Sequence, residues 1–208
     1  MPSPRILVPL APGFEEIEVI VPVNLWRRAG WDVLTAGLQP GPLEASRKTR
    51  HLADAEWSEV LSQNFDLIYL PGGRPGADHL RNSSPLLARL QAQAEAGRWI
   101  AAICAAPIVL EAAGLLHGKR WTAHPSAQAE IASGTSTHRP IEQDGHLITG
   151  RSAGVAAELA LTVLRNLAGW SAVESVQQGY LAEPYLLDAC HPDRFPAPPR
   201  TPEGHQTT

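Results

Sequence analysis

The sequence contains few of the residues that mark several large classes of protein. Only two of its 208 residues are cysteine, Cys104 and Cys190, so no disulfide framework is expected and a reducing compartment is the simpler interpretation. No apolar run approaches the roughly 20 residues that span a bilayer. The segment Met1–Glu16 lacks the longer apolar core and the cleavage site of a signal peptide. We therefore expect a cytoplasmic protein without membrane segments.

Charge is also scarce. The chain has 17 Lys and Arg residues against 21 Asp and Glu residues, a formal charge of −4, and its basic residues are scattered. This pattern does not indicate a nucleic-acid partner or a membrane-surface patch. The adjacent Cys190 and His191 have no further ligand cluster near them, so we expect no metal. No feature of the sequence requires a cofactor.

The residues that are present favour one folded domain. Apolar residues make up 44% of the chain, and this length can bury a sizeable core. We predict a single domain over residues 1–190 and a Pro-rich tail over residues 191–208. The tail contains five prolines and few apolar residues, so it can bury little.

Short apolar runs alternate with helical patterns along the chain. The predicted strands are Arg5–Leu10, Asp32–Ala36, Phe65–Leu70, Trp99–Ile103 and His146–Thr149. The predicted helices are approximately Glu15–Arg28, Pro85–Ala96, Ala105–Ala113 and Ala153–Leu167, with a loop or short hairpin over Gln39–His51. Near-continuous apolar strands between helices are typical of a doubly wound α/β fold, whose mostly parallel sheet is covered on both faces.

The first predicted helix carries two features of interest. At about 100° per residue, one side of it collects Ile17, Ile20, Val21, Asn24 and Leu25. Pro22 is expected to kink this helix or to split off its first turn. Glu18 lies beside Leu25 on the shoulder of the apolar side, where partial desolvation would raise the pKa of its carboxyl group.

Three distinctive turns follow three of the predicted strands. They cover residues 11–18 (APGFEEIE), 71–76 (PGGRPG) and 101–107 (AAICAAP). The carboxyl ends of parallel strands share one edge of the sheet, and ligands bind at that edge in open α/β folds. We therefore expect the three turns to form one site.

Cys104 is the candidate nucleophile of the third turn. An apolar strand enters it and a helix rich in small residues leaves it, which is the strand–nucleophile–helix arrangement of hydrolase elbows. The amino terminus of that helix would favour the thiolate. The alternative is a buried structural cysteine, because free cysteine is among the most buried residue types.

The neighbouring candidates are each open to two interpretations. A protonated Glu18 would serve as general acid and base, although most glutamates are simply solvated. His124 would be a base, a proton shuttle or a substrate contact, or else a surface residue. Arg47 would bind an anion or remain a solvated charge. Gly72 and Gly73 permit positive φ, so a backbone N–H there, together with that of Ala105, would stabilise an oxyanion, or the segment is an ordinary loop.

Five segments together resemble the ThiJ/PfpI superfamily, and within it the branch of the Parkinson disease protein and YajL. They are LAPGFEEIE (10–18), PVNLWRRAG (22–30), YLPGGRPGA (69–77), AAICAAP (101–107) and TAHP (122–125). The resemblance covers roughly residues 5–178. It implies a flavodoxin-like fold, like that of the class I glutamine amidotransferases, and a homodimer.

The resemblance also implies roles for individual residues. It implies that Cys104 is the oxidisable nucleophile, that Glu18 is a protonated carboxyl group hydrogen-bonded to it, and that His124 is the third active-site residue. It implies that the backbone of Gly73 and Ala105 binds an oxyanion. It also makes Gly72 and Arg47 substrate-binding positions, with Arg47 on the dimer side of the site. The segment Thr149–Gly154 departs from the pattern of the branch, because Ser152 and Ala153 replace a Gly-Pro pair.

The implied activity is that of a glyoxalase or deglycase that needs no cofactor. Its substrates would be α-oxoaldehydes such as methylglyoxal, or their adducts on glycated proteins. The alternative is a redox-responsive stress protein or chaperone that uses oxidation of the same cysteine. A biosynthetic enzyme of the ThiJ type is less favoured because no phosphate-binding loop is evident. A protease is disfavoured because Ala105 stands where the proteolytic branch has histidine.

Overall fold

The computed structural model describes residues 3–179. The predicted Pro-rich tail, Cys190 and His191 lie outside these residues, as does the predicted end of the domain at residue 190. None of the helices in the described range is long and apolar enough to cross a membrane.

Within residues 3–179, short strands and helices alternate along the chain. The strands are β1 Arg5–Leu10, β2 Asp32–Gly37, β3 Leu43–Glu44, β4 Arg50–His51, β5 Ala55–Glu56, β6 Leu67–Leu70, β7 Trp99–Ile103, β8 Arg120–Trp121, β9 Thr135–Ser136, β10 Ile141–Asp144 and β11 Leu147–Gly150. The helices are α1 Glu16–Arg28, α2 Trp57–Val60, α3 Gly76–Arg81, α4 Ser84–Glu95, α5 Pro107–Ala112, α6 Pro125–Gln128, α7 Ala156–Ala168 and α8 Trp170–Gly179, with a 3₁₀ turn at Ala153–Val155 before α7.

Seven strands form one sheet in the order β10-β11-β7-β6-β1-β2-β5. All neighbours pair in parallel except β10, which runs antiparallel to β11. The predicted doubly wound, mostly parallel sheet is therefore confirmed. The order places β1, β6 and β7, the strands that precede the three distinctive turns, side by side.

Helices cover both faces of this sheet. Alternate side chains of a strand point to opposite faces, and in β1 Ile6 and Val8 join one core cluster whereas Leu7 joins the other. The first cluster contains the buried side chains of α1, α7 and α8, and the second those of α3, α4 and α5. The central strands β1, β6 and β7 are apolar almost throughout because they are buried on both faces.

The predicted apolar side of α1 is wrong. Ile17 and Ile20 are about half exposed, and Asn24 is exposed as well. The side chains that α1 buries are Glu18, Val19, Pro22, Val23, Leu25 and Trp26. Glu18 and Pro22 are not typical core residues. Hydrophobic periodicity therefore pointed to a face of α1 next to the one that is buried. Pro22 does not split the helix, which is continuous over Glu16–Arg28.

Smaller elements account for the other differences. The expected hairpin within Gln39–His51 is confirmed, because β3 and β4 pair antiparallel. The elements that the sequence analysis did not predict are the strands β5, β8, β9 and β10 and the helices α2, α3, α6 and α8. The predicted helix beginning at Ala153 starts as a 3₁₀ turn and becomes α-helical at Ala156.

Candidate active site

The first two turns pack backbone against backbone at the carboxyl edge of the sheet. The N–H of Glu15 donates to the carbonyl of Gly72 at 3.0 Å. Gly73 has φ +87°, and a Cβ there would lie 2.5 Å from both the nitrogen of Glu15 and the oxygen of Gly13. No side chain fits at that distance, so glycine at position 73 permits the approach that brings α1 beside the end of β6.

Cys104 occupies a left-handed turn between β7 and α5. Its φ is +61°, a conformation that costs a residue with a side chain about 1–2 kcal/mol. Both of its backbone groups are hydrogen-bonded: its N–H donates to the carbonyl of Gly150 at 2.8 Å, and its carbonyl accepts from the N–H of His124 at 2.8 Å. The side chain is half-buried. These bonds offset the strain and hold the thiol at the edge of the sheet.

Gly150 is a supporting residue that the sequence analysis missed. It ends β11 beside the elbow, and a Cβ on it would lie 2.7 Å from Cδ1 of Leu159 and 3.0 Å from Cγ1 of Ile103. The signal was present in the segment Thr149–Gly154, where a glycine ends an apolar strand. That segment drew notice only for its departure from the family pattern.

Glu18 lies directly beside the thiol. Its side chain is completely buried, Oε2 accepts from the N–H of Gly72 at 2.7 Å, and the carboxyl group is close enough to the thiol of Cys104 for each group to shift the pKa of the other. Oε1 has no hydrogen-bond partner among residues 3–179. A buried carboxyl group with an unused oxygen next to a thiol is positioned to exchange a proton with it or with a molecule bound to it.

The pKa values of both groups are raised, each mainly by burial. Burial raises the pKa of Glu18 from 4.5 to about 7, against the hydrogen bonds from Cys104 and Gly72, which lower it. Burial and the charge of ionised Glu18 raise the pKa of the Cys104 thiol to about 12, whereas the N–H groups of Ala105 and Gly73 lower it. The raised pKa of Cys104 is opposite to the expectation that the amino terminus of the following helix favours the thiolate. The thiolate therefore forms most readily when the shared proton resides on Glu18.

The raised pKa of Glu18 predicts a pH-dependent stability. The folded protein binds the proton more tightly than the unfolded chain, so its stability falls as pH rises from 4.5 through about 7. The difference between these pKa values corresponds to about 3 kcal/mol. We expect the free energy of unfolding of the wild type, measured in urea, to fall by an amount of this order relative to Glu18→Gln over that pH range.

The Gln variant serves as the reference because its side chain does not titrate, so other groups cancel in the difference. A constant difference between the two proteins from pH 4.5 to above pH 7 would show that Glu18 titrates normally in the folded protein.

The backbone N–H groups of Gly72, Gly73 and Ala105 have two different partners. The N–H groups of Gly73 and Ala105 face the sulfur of Cys104, where they are also available to a developing oxyanion. The N–H of Gly72 is occupied by Glu18. A Cβ on Gly72 would lie 2.8 Å from the nitrogen of Ala105 and from Oε2 of Glu18. The N–H of Gly72 therefore holds the carboxyl group of Glu18 in place.

The two remaining predicted residues differ in position. His124 adjoins the elbow through its backbone bond to Cys104, and its Nδ1 lies 2.8 Å from Oγ of Ser126. Arg47 lies on the hairpin between β3 and β4 with its side chain 79% exposed and 3.9 Å from the carboxylate of Glu15. No contact in the described part of the chain brings Arg47 to Cys104.

Metal ligands are not grouped in the structure. Among residues 3–179, no set of three or more His, Cys, Asp or Glu side chains is arranged to hold a metal ion. The chemistry that these residues offer is that of a nucleophile, a proton carrier and backbone donors.

The elbow, the buried glutamate and the glycine turn can be compared with known proteins. The family model described as the DJ-1/PfpI family matches residues 4–166. The chain belongs to the DJ-1/PfpI family. The match includes Glu18, Gly72, Cys104 and His124, so the whole candidate site lies inside the shared region.

Individual members of the DJ-1/PfpI family agree with this assignment. The Drosophila melanogaster protein dj-1beta is 40% identical over 182 residues, which cover 86% of this chain and 97% of the relative. Its crystal structure matches with a TM-score of 0.84, covering 88% of this chain and all of that one. A Caenorhabditis elegans relative named glutathione-independent glyoxalase DJR-1.2 is 33% identical over 157 residues, covering 74% of this chain and 83% of the relative.

A third comparison concerns an oxidised form. A structure described as Toxoplasma gondii DJ-1, oxidized, matches with a TM-score of 0.82 at 31% identity, covering 86% of this chain and 98% of that one. The fold of this DJ-1/PfpI member is thus shared with a relative whose structure is described as oxidized.

Proposed function

We propose that this DJ-1/PfpI member is a glyoxalase that converts methylglyoxal and similar α-oxoaldehydes into hydroxyacids without a cofactor, or removes their early adducts from proteins. The observation that supports this most is the complete burial of the Glu18 carboxyl group beside the Cys104 thiol, where the N–H of Gly72 holds it. It pairs a nucleophile with a carboxyl group whose pKa of about 7 suits proton transfer in both directions near neutral pH. The glyoxalase name of the C. elegans relative supports the same class of reaction.

The first step is attack by the Cys104 sulfur on the aldehyde carbon. With the shared proton on Glu18, the thiolate forms the S–C bond while the carbonyl π pair moves to oxygen. The N–H groups of Gly73 and Ala105 stabilise the alkoxide, which then takes the proton from Glu18. The product is a hemithioacetal beside an ionised glutamate.

The second step moves two protons within this adduct. Glu18 removes the proton from the former aldehyde carbon and returns it to the former ketone carbon. The other proton passes between the two oxygens, and we assign that transfer to His124, whose Nδ1 is engaged by Ser126 and leaves Nε2 for the task. The result is a thioester of a 2-hydroxyacid, an isomer of the hemithioacetal.

The third step releases the product. Water attacks the thioester carbon, the S–C bond breaks, and Cys104 leaves as the thiolate. The sum is methylglyoxal plus water giving lactate and a proton, with no net oxidation or reduction. In an early protein adduct, which is a hemithioacetal or an aminocarbinol, the hydroxyl proton would pass to the departing sulfur or nitrogen as its bond to carbon breaks. This frees the protein side chain and regenerates the aldehyde that Cys104 then attacks.

The proposal predicts lactate formation from methylglyoxal in buffer that contains neither glutathione nor added metal. Proton NMR would follow the loss of methylglyoxal and the growth of the lactate methyl doublet, and in D₂O it would report whether the migrating proton exchanges with solvent. Loss of methylglyoxal without lactate, for example by simple adduct formation on the protein, would contradict a glyoxalase.

A redox-responsive chaperone is the second candidate. The donors around the sulfur, namely protonated Glu18 and the N–H groups of Gly73 and Ala105, would equally hold the oxygens of a sulfinic acid. The description of the Toxoplasma gondii relative as oxidized supports this candidate. Treatment with peroxide followed by a client-aggregation assay tests this: unchanged holdase behaviour would exclude the switch.

We also propose a cytoplasmic homodimer. Ile17 and Ile20 of α1 and Leu52 after β4 are large apolar side chains that are 51%, 48% and 75% exposed. A second copy covering these side chains would remove them from water. A monomeric mass in sedimentation at micromolar concentration would count against it.

A further inference from the structure

The backbone of Glu18 has an unusual partner. In a regular helix, the carbonyl of residue 18 would accept a hydrogen bond from the N–H of residue 22, but Pro22 has no N–H. The hydroxyl of Tyr69 donates to that carbonyl instead, at 2.7 Å. Tyr69 lies in β6 and its side chain is completely buried. A buried carbonyl without any donor would cost free energy, so this bond fills a gap that Pro22 creates.

The ring of Tyr69 packs against an indole that is itself held by a hydrogen bond. It packs edge-to-face against the indole of Trp26, with centroids 5.2 Å apart and planes at 87°. Trp26 in turn donates from Nε1 to the carbonyl of Ala160 in α7 at 3.0 Å. Burial raises the pKa of the Tyr69 hydroxyl well above 10, so it remains a hydrogen-bond donor across the whole neutral range.

The end of β6 therefore holds Glu18 at two points. Tyr69 binds its backbone carbonyl, and Gly72 binds its carboxyl group. We infer that Tyr69 is a positioning residue, whose hydroxyl fixes the turn of α1 so that the Glu18 carboxyl reaches both the Gly72 N–H and the Cys104 sulfur. The hydroxyl of Tyr69 contacts the main chain of Glu18, and we assign Tyr69 no contact with the substrate. The effect of Tyr69 on turnover rests on the proposed function.

The variant Tyr69→Phe tests this inference. It keeps the ring against Trp26 and removes the hydroxyl alone, so the Glu18 carbonyl loses its donor and the turn can relax. We expect kcat for methylglyoxal to fall about tenfold, the effect of about 1.4 kcal/mol on the barrier, with KM within about twofold. We also expect the pH midpoint of Cys104 alkylation, read by mass spectrometry, to shift by about half a pH unit or more.

Thr162→Val is the matched control. It also removes a nearly buried hydroxyl that donates to a helix carbonyl, in this case that of Glu158 at 2.8 Å, but it lies in α7 away from Glu18. We expect it to leave kcat and the alkylation midpoint unchanged. Wild-type values of both quantities in folded Tyr69→Phe would overturn the inference.

Two further arrangements keep the test decisive. If Tyr69→Phe does not fold, the double variant with Pro22→Ala supplies an N–H at position 22 for the Glu18 carbonyl. We expect the double variant to fold and its kcat to remain reduced, because the N–H of residue 22 directs the Glu18 carbonyl along the helix axis and not toward β6. A wild-type kcat in the double variant would overturn the inference. If the wild type makes no lactate, the proposed function fails, whereas the alkylation midpoint of the same variants still decides the role of Tyr69.

Discussion

Replacing Cys104 with serine is expected to reduce lactate formation from methylglyoxal by a factor on the order of a thousand or more. The serine hydroxyl fits the same turn and can keep the hydrogen bond to Glu18. Its oxygen ionises far less readily than sulfur, so little nucleophile is available near neutral pH and the hemithioacetal cannot form. The rate of lactate formation by NMR gives the effect, and circular dichroism with a thermal melt confirms the fold.

The second cysteine of the chain provides the matched control. Cys190→Ser makes the same chemical change outside the described residues, and we expect it to leave turnover unchanged. If Cys104→Ser kept a tenth or more of the wild-type rate, attack by this sulfur would not be the chemical step, and the carboxyl group of Glu18 would have to act on a free aldehyde hydrate.

Replacing Glu18 with glutamine is expected to separate thiol reactivity from turnover. The amide keeps the size of the side chain and a donor toward the sulfur, but it cannot accept and return a proton. We expect kcat to fall by about a hundredfold to ten-thousandfold, the usual contribution of general acid–base catalysis. The neutral amide also removes the charge that raises the pKa of Cys104. Iodoacetamide should therefore still label the thiol at a comparable rate.

Glu16→Gln is the control for this change. Glu16 lies on the same turn of α1, but it binds Thr49 and the backbone of Arg47 on the hairpin, and it has a lowered pKa. We expect near-normal turnover in that variant. Equal losses of labelling and turnover in Glu18→Gln would indicate that Glu18 only shapes the thiol environment. In that case peroxide oxidation of Cys104, rather than proton transfer, would become the favoured use of the pair.

Local sequence patterns were sufficient to predict the strands and turns that form the site. Each of the strands β1, β6 and β7 is a short apolar run, and each distinctive turn follows its strand directly, so both can be recognised without knowledge of distant contacts. The edge on which Glu18, Gly72 and Cys104 meet follows from the rule for open sheets. Their actual proximity required the strand order, which places β1, β6 and β7 next to one another.

The buried side of α1 could not be predicted in the same way. Hydrophobic periodicity placed Glu18 only on the shoulder of the apolar side and left Pro22 outside it, although both are buried. Glu18 is buried because its hydrogen bonds to Gly72 and Cys104 compensate it, and those partners come from other parts of the chain. A functional residue of this kind breaks the pattern on which the prediction rests.

The supporting contacts were the least accessible from sequence. The bond from Tyr69 to the Glu18 carbonyl and the bond from Cys104 to Gly150 each join residues distant in the chain. Neither has a local sequence signature, because a strand tyrosine and a strand-end glycine occur in many proteins. The proline at position 22 was noticed for its effect on the helix, and its effect on the carbonyl four residues earlier became visible only in three dimensions.

The hydrogen bonds of the Cys104 backbone have a consequence for protein synthesis. Both partners, His124 and Gly150, follow Cys104 in the chain, so Cys104 is synthesised before either of them. Until β11 has joined the sheet, the left-handed turn lacks the hydrogen bond to Gly150, and the thiol of the nascent chain is not yet held in the geometry of the site. A polypeptide released before residue 150 would carry Cys104 and Glu18 but would lack the geometry that couples them.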